Sequence, residues 1–239
     1  MLDRLHLEGV WPDPVTIRRG WAKAVARPWN DEVPDATIRL ERGSSDFLRA
    51  TAEHLGPMGS GTVYSPALYP TAARVWSRAG FSRFGLLDVM ERPLGTEGPK
   101  PEHPIEGFDA PNWEEVVDLD RLAFDGFWRM SEAGLVEAMR STPRSVALLA
   151  HVDGRLAGYA LVGAQMSVSF LQRVAVAPDL AGRGIGTSLV RASLEWALGS
   201  GARTMVLNLR PENDRARDLY EKEGFSSSRT TLELLRFEV

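Results

Sequence analysis

Residues 174–187 read Val174-Ala-Val-Ala-Pro-Asp-Leu-Ala-Gly-Arg-Gly-Ile-Gly-Thr187. A helix-like run, a strand-like run and then Asn213-x-x-Ala216-x-x-Leu219-Tyr220-x-x-x-Gly224-Phe225 follow. The order is strand, glycine-rich turn, helix, strand, helix. Gly182, Gly184 and Gly186 leave the backbone without Cβ atoms where strand turns into helix, so bare N–H groups can point at an anion. A helix beginning near Ile185 or Gly186 adds the positive end of its dipole at the same spot. Arg183 can supply a mobile charge beside it.

Other phosphate-binding patterns fail on spacing. A Walker loop ends in Gly-Lys-Ser/Thr, and residues 174–187 hold no lysine. A dinucleotide fingerprint starting at Gly182 needs its third glycine at position 187, which is Thr187. A tight strand-to-helix turn without a ligand remains open on the glycines alone, and the downstream motif weighs against it.

With both motifs in view the chain resembles the GNAT superfamily of acetyl-CoA-dependent N-acetyltransferases. That family's loop reads Arg/Gln-x-x-Gly-x-Gly/Ala after a strand ending Val-x-Val, and here Ala181-Gly-Arg-Gly184-Ile-Gly186 follows Val174-Ala175-Val176. The first loop position departs from the pattern, being Ala181. Because such a loop works through backbone amides, this departure implies weaker cofactor affinity and not loss of the site. The resemblance implies a GNAT fold of the α/β (α+β) class: a mixed, mostly antiparallel sheet flanked by helices and splayed at the acetyl-CoA strand. It further implies acetyl-CoA as cosubstrate, held by Val174, Ala175 and Val176, by the amides of Gly182, Arg183, Gly184, Ile185, Gly186 and Thr187, and by Asn213 on the pantetheine arm.

Composition agrees with an enzyme of this size. The 239 residues are 44% hydrophobic, with seven Trp and nine Phe to fill one substantial core or two small ones. A net charge of −4 and a pI near 5.7 argue against nucleic acid as the main partner. The absence of cysteine excludes disulfides, thiolate nucleophiles and Cys-based metal sites. The histidines at 6, 54, 103 and 151 lack metal-ligand spacing, so no metal is expected. Met1-Leu-Asp-Arg-Leu-His6 does not read as a signal peptide, and no apolar run reaches membrane-spanning length, so the expected compartment is the cytoplasm, without a membrane partner.

The stretch Leu94-Gly-Thr-Glu-Gly-Pro-Lys-Pro-Glu-His-Pro-Ile105 reads as a linker. It divides the chain into 1–93 and a catalytic domain at 106–239. The second part carries helices at 113–123 and 132–140, strands at 145–151 and 155–162 joined by an Asp153-Gly154 turn, and the signature strand at 170–177. A helix at 187–198, a strand at 204–209, the tyrosine helix and a last strand at 230–237 complete it.

In the first part, Ala72-x-x-Val75-Trp76-x-x-x-Gly80-Phe81 overlies Ala216-x-x-Leu219-Tyr220-x-x-x-Gly224-Phe225 at an offset of 144 residues. Leu86 to Arg92 then falls over Thr230 to Arg236. Ahead of these, 37–40 reads as a strand, 46–55 as a helix and 62–65 as a strand. Only Glu41-Arg-Gly43 stands where the phosphate loop belongs, Trp76 replaces the tyrosine and Tyr69 the asparagine. Residues 1–93 therefore read as a degenerate GNAT-like half-domain without a cofactor site, similar to the dead copy in tandem GNAT proteins, with a structural role or a place walling the acceptor cleft.

No Cys or Ser-His-Asp arrangement offers a covalent nucleophile, so direct transfer to an amine acceptor is expected, on a small molecule or a peptide. By the resemblance, a backbone N–H of Val174–Val176 polarises the thioester oxygen and Tyr220 protonates the leaving thiolate. This half also resembles ribosomal-protein alanine acetyltransferases, whose strand reads Leu-Glu-Val-Arg with the glutamate thought to serve as base. Here Leu207-Asn208-Leu209-Arg210 has an amide instead, which can hold water or the amine but cannot take a proton. Asp125, Glu132 and a water chain remain as bases. Two other readings stay open: an acyl-CoA-binding or sensing module with weak or lost catalysis, and a scaffold with no affinity for CoA. A homodimer is compatible with each.

Overall fold

A computed structural model describes residues 4–95 and 98–239; Met1–Asp3, and Thr96 and Glu97 of the expected linker, lie outside the described residues. In chain order the strands and helices are β1 (His6–Glu8), β2 (Val15–Arg19), β3 (Ala22–Pro28), β4 (Ala36–Arg42), α1 (Ser45–Leu55), β5 (Thr62–Tyr64), α2 (Pro70–Ala79) and β6 (Ser82–Pro93). There follow β7 (Glu106–Phe108), α3 (Trp113–Ala123), α4 (Glu132–Arg140), β8 (Arg144–Val152), β9 (Arg155–Gln165), β10 (Val168–Val176), α5 (Ile185–Gly199), β11 (Thr204–Leu209), α6 (Asp214–Lys222) and β12 (Ser226–Glu238). Among the described residues no helix is long and apolar enough to cross a membrane.

The chain divides into two units, one of residues 1–87 with 230–239 and one of residues 88–229. This differs from the expected boundary at both ends. Residues 88–93 of β6 belong to the second unit, and residues 230–238 of β12 belong to the first, so each repeat ends in a strand that completes the other sheet.

In the first unit the strand order is β1-β2-β3-β4-β5-β12. β4 and β5 are parallel, whereas the β1/β2, β2/β3, β3/β4 and β5/β12 pairs are antiparallel. Strict alternation in β2 and β3 buries Val15, Ile17, Ala22, Ala24 and Ala26 on one face, where Phe47, Leu48 and Leu55 of α1 and Trp76 of α2 join one core. Each such large side chain contributes about 1.5–3 kcal/mol on burial. The half-domain expected from sequence is therefore a full six-strand sheet. It lacks only helices between its first two strands, where residues 9–14 stand in place of α3 and α4.

The second unit repeats that order as β7-β8-β9-β10-β11-β6, with β10 and β11 the parallel pair. Every residue from Leu156 to Ala164 of β9 is buried, so both faces of this central strand are covered, by α3 and α4 and by α5. A Cβ on Gly158 would lie 2.9 Å from the Ala175 carbonyl oxygen and 3.0 Å from Ile185 Cγ2 and Leu189 Cδ1, so glycine here lets the start of α5 rest on the sheet.

The repeat extends to single hydrogen bonds. α2 ends at Gly80 (φ 100°) with Phe81 N–H donating to the Trp76 carbonyl (3.1 Å), and α6 ends before Gly224 (φ 82°) with Phe225 N–H donating to the Tyr220 carbonyl (2.9 Å). The rings then meet alike, with Trp76 and Phe81 centroids 4.8 Å apart and Tyr220 and Phe225 centroids 5.7 Å apart. The left-handed glycine turns the chain back so that the following Phe closes over the helix.

β6 is integral to the second unit: Asp88 to Pro93 pair with β11, Asp88 accepts from Arg217 of α6 at 2.7 Å, and Arg92 donates to the Glu223 carbonyl. A fragment of residues 98–229 leaves an edge of β11 unpaired. It is expected to aggregate or melt earlier than a fragment of residues 82–229, compared by size-exclusion chromatography and thermal melting; equal behaviour would show that β6 is dispensable.

Candidate active site

Strands β10 and β11 lie side by side only from Val168/Thr204 to Leu171/Leu207. Beyond that point β10 continues to Val176 against β9, and β11 continues to Leu209 against β6. A register shift between Leu171 and Arg173 gives β10 one extra residue, Gln172, where the two strands part. The facing edges of residues 173–176 and 208–209 thus have no strand partner in each other. Unpaired backbone groups of this kind must bond to water or to a ligand.

The mouth of the gap leads to the glycine loop. After Val176 the chain makes a single helical turn at Pro178–Leu180, with Leu180 buried as its anchor, and Ala177 N–H bonds back to the Ala157 carbonyl (2.9 Å). Gly182 and Gly184 both have φ 84°, a conformation that side chains oppose, and α5 starts immediately after Gly184. No side chain caps α5, so its first amides are open to an anion. The equivalent place in the first unit is closed: only Gly43 and Ser44 separate β4 from α1, and Ser44 Oγ accepts from Phe47 N–H (3.3 Å), filling the need an anion would fill.

Tyr220 lies on α6, buried in the core of this unit with its ring against Phe225. Its residue is 9% exposed, and its hydroxyl has no hydrogen-bond partner among the described residues. Burial pushes its pKa up to about 12, so the phenol is a poorer match to a thiol of pKa ~8.5 than its ordinary value implies. Asn213 caps α6, its side-chain oxygen accepting from Ala216 N–H at 3.2 Å. Asn208 is exposed on β11 just past the point of parting.

The two carboxylates considered from sequence stand in different settings. Asp125 is exposed and lies 3.5 Å from Nη1 of Arg210, the residue that follows β11. Glu132 is exposed in the first turn of α4, behind the Ser131 cap. Neither is held as a buried base.

Beside the gap stands a buried ionic cluster that sequence reading missed. Arg173 donates from Nε and Nη2 to the two oxygens of Asp120 (2.8 and 2.9 Å), donates to the Trp128 carbonyl (2.7 Å) and stacks 3.5 Å from the Phe124 ring centroid. Asp120 is fully buried and also accepts from the Tyr159 hydroxyl and from Met130 N–H (2.8 Å). With both oxygens hydrogen-bonded, the carboxylate is a tie between α3, β9, β10 and the 124–130 loop. Burial in turn pushes the Tyr159 phenol far up, keeping it a donor. A signal existed: Asp120 falls on the apolar stripe of α3 with Val116, Val117 and Leu119, and a carboxylate there requires a buried partner.

Residues 113–225 match the acetyltransferase (GNAT) family. A Bacillus subtilis protein assigned as a ribosomal protein bS18 alanine N-acetyltransferase is 26% identical over 46% of this chain and 72% of its own length. Mycothiol acetyltransferase of Saccharomonospora viridis is 27% identical over 72% of this chain, which spans 63% of that relative, less than two thirds. A tandem GNAT protein from the clavulanic acid biosynthesis pathway shares the fold with a TM-score of 0.59 at 19% identity, over 94% of this chain and 82% of that one. The parted strands, the uncapped helix behind a glycine loop and the matched segment coincide in the second unit, and that segment is thus similar to acetyltransferases of the GNAT family.

Proposed function

We propose that this protein transfers an acetyl group from acetyl-CoA directly to a primary amine of a small molecule or a peptide, in the cytoplasm. The observation that carries the reading is the parting of β10 from β11 after Leu171/Leu207, immediately ahead of the uncapped start of α5. Pantetheine amides bond in the gap to Val174, Ala175 and Val176, and the pyrophosphate lies on the amides of Gly182 to Thr187. A β10 amide donates to the thioester oxygen as the amine attacks; the C–N bond forms, the C–S bond breaks and the thiolate leaves.

Tyr220 donates a hydrogen bond to that sulfur. Its raised pKa makes complete proton transfer uphill, so stabilising the thiolate is its larger contribution. Asn208 holds the amine or a water, and water removes the amine's proton, since Asp120 is occupied by Arg173. A second reading, an acyl-CoA-binding module with little turnover, is favoured by Ala181 and by the amide at Asn208. CoA binding with no turnover across a panel of small amines and N-terminal peptides would identify it.

Gly186 lies in the first turn of α5, where an added Cβ meets only ordinary contacts, 3.5 Å from Leu219 and 3.6 Å from Val176. Gly186→Glu places a carboxylate where the helix dipole welcomes it and the pyrophosphate does not. The melting temperature should hold or rise while CoA affinity by calorimetry falls roughly tenfold or more. Unchanged affinity would count against the loop as the phosphate site.

Tyr220→Phe keeps the ring against Phe225 and removes only the hydroxyl. Acetyl-CoA affinity should be preserved and turnover should fall roughly 10²-fold where chemistry is rate-limiting. Because the folded pKa stands near 12, the phenol stays neutral through the ordinary range, and the wild-type rate should show no loss from its ionisation below that value. Undiminished turnover in the variant would remove Tyr220 from the reaction.

A further inference from the structure

Residues 100–103, within the stretch read from sequence as a linker, lie against α5 and the glycine loop. Glu102 N–H and His103 N–H both donate to Ser188 Oγ (3.1 Å each), a fully buried hydroxyl one turn into α5. Arg191, one turn further, donates to the Lys100 carbonyl (3.4 Å) and to the Glu102 carboxylate (3.2 Å), and is held from behind by both oxygens of Glu223. So anchored, the strap brings the His103 ring to the loop: Nε2 is 2.8 Å from the Arg183 carbonyl oxygen and 3.6 Å from where a Cβ on Gly184 would stand.

A carbonyl oxygen only accepts, so Nε2 carries the hydrogen and donates. The bond occupies the oxygen of the 183–184 peptide, whose N–H belongs to Gly184, in the left-handed conformation that opens α5. Holding that oxygen fixes the plane of the peptide, and with it the direction of the Gly184 amide. Among the described residues no side-chain cap on α5 shares this task.

We propose that His103 is a positioning residue for the phosphate loop: it pre-orients the amides that receive the cofactor's pyrophosphate by anchoring the Arg183 carbonyl. This rests on the reading of that loop as the acetyl-CoA site. A preformed cradle binds its anion without the cost of ordering it, so the contribution appears in cofactor binding and not in the chemical step.

The test compares wild type, His103→Ala and His103→Gln with acetyl-CoA and with S-acetylpantetheine, which lacks the pyrophosphate, using as acceptor an amine the wild type acetylates. His103→Ala should raise the KM for acetyl-CoA roughly 3- to 10-fold, the worth of one hydrogen bond, with kcat unchanged. It should leave S-acetylpantetheine kinetics as in wild type. His103→Gln, whose side-chain amide can donate from nearly the same place, should restore most of the loss.

An unaltered KM in His103→Ala overturns the proposal, as does an equal loss with S-acetylpantetheine or no rescue by Gln. A wild type that binds no CoA by calorimetry overturns the acetyl-CoA reading itself and this inference with it, an outcome distinct from a wild type that binds while the variant is unaffected.

Discussion

The separation of β10 from β11 after four paired residues is the constraint around which the second unit is arranged. Two neighbouring parallel strands would otherwise continue to pair, since each unsatisfied backbone group costs free energy. Here each strand is committed to its outer neighbour, β10 to β9 as far as Val176 and β11 to β6 as far as Leu209, and the extra residue at Gln172 breaks the register where they diverge. The Arg173–Asp120 pair sits one residue beyond the break and ties β10 to α3 and to the 124–130 loop. Removing one partner of such a pair typically costs about 3–5 kcal/mol, so the strand's course is strongly held.

The two units share one sheet order and differ in how a helix start is satisfied. Both place a parallel strand pair before a helix, and both close the following helix with the same glycine turn and the same carbonyl bond to a Phe amide. They differ at the connection, where two residues lead into a serine-capped α1 and eight lead into an uncapped α5. An internal hydroxyl satisfies the helix start in one unit; in the other that need is left for an anion.

Much of this was legible in the sequence because it is local. The glycines at 182, 184 and 186, the Asp153-Gly154 turn and the Asn213 cap declare themselves by residue type, and the strands and helices of residues 113–225 fall within a few residues of where periodicity puts them. The strands β1 to β3 were missed although Val15-Thr-Ile and Ala22-Lys-Ala-Val-Ala alternate cleanly, because no motif drew attention to them. The exchange of β6 and β12 between the units was not legible, since a strand's partner is a long-range fact. His103 and Arg173 were missed for the same reason: their partners are 80 and 53 residues away. Proline and charge marked residues 94–105 as a linker, and nothing in their composition announced that Lys100, Glu102 and His103 bond to Ser188 and Arg191 of α5.

Residue-resolved amide hydrogen exchange, with and without CoA, tests the central claim most directly. If the gap between β10 and β11 is the pantetheine site, amides facing it within 173–176 and those of 182–187 exchange readily in the free protein and are protected when CoA is added, while the amides at the start of α1 are unmoved. Protection of the 173–176 amides to the same degree without CoA, or a CoA footprint confined to other segments, would contradict it.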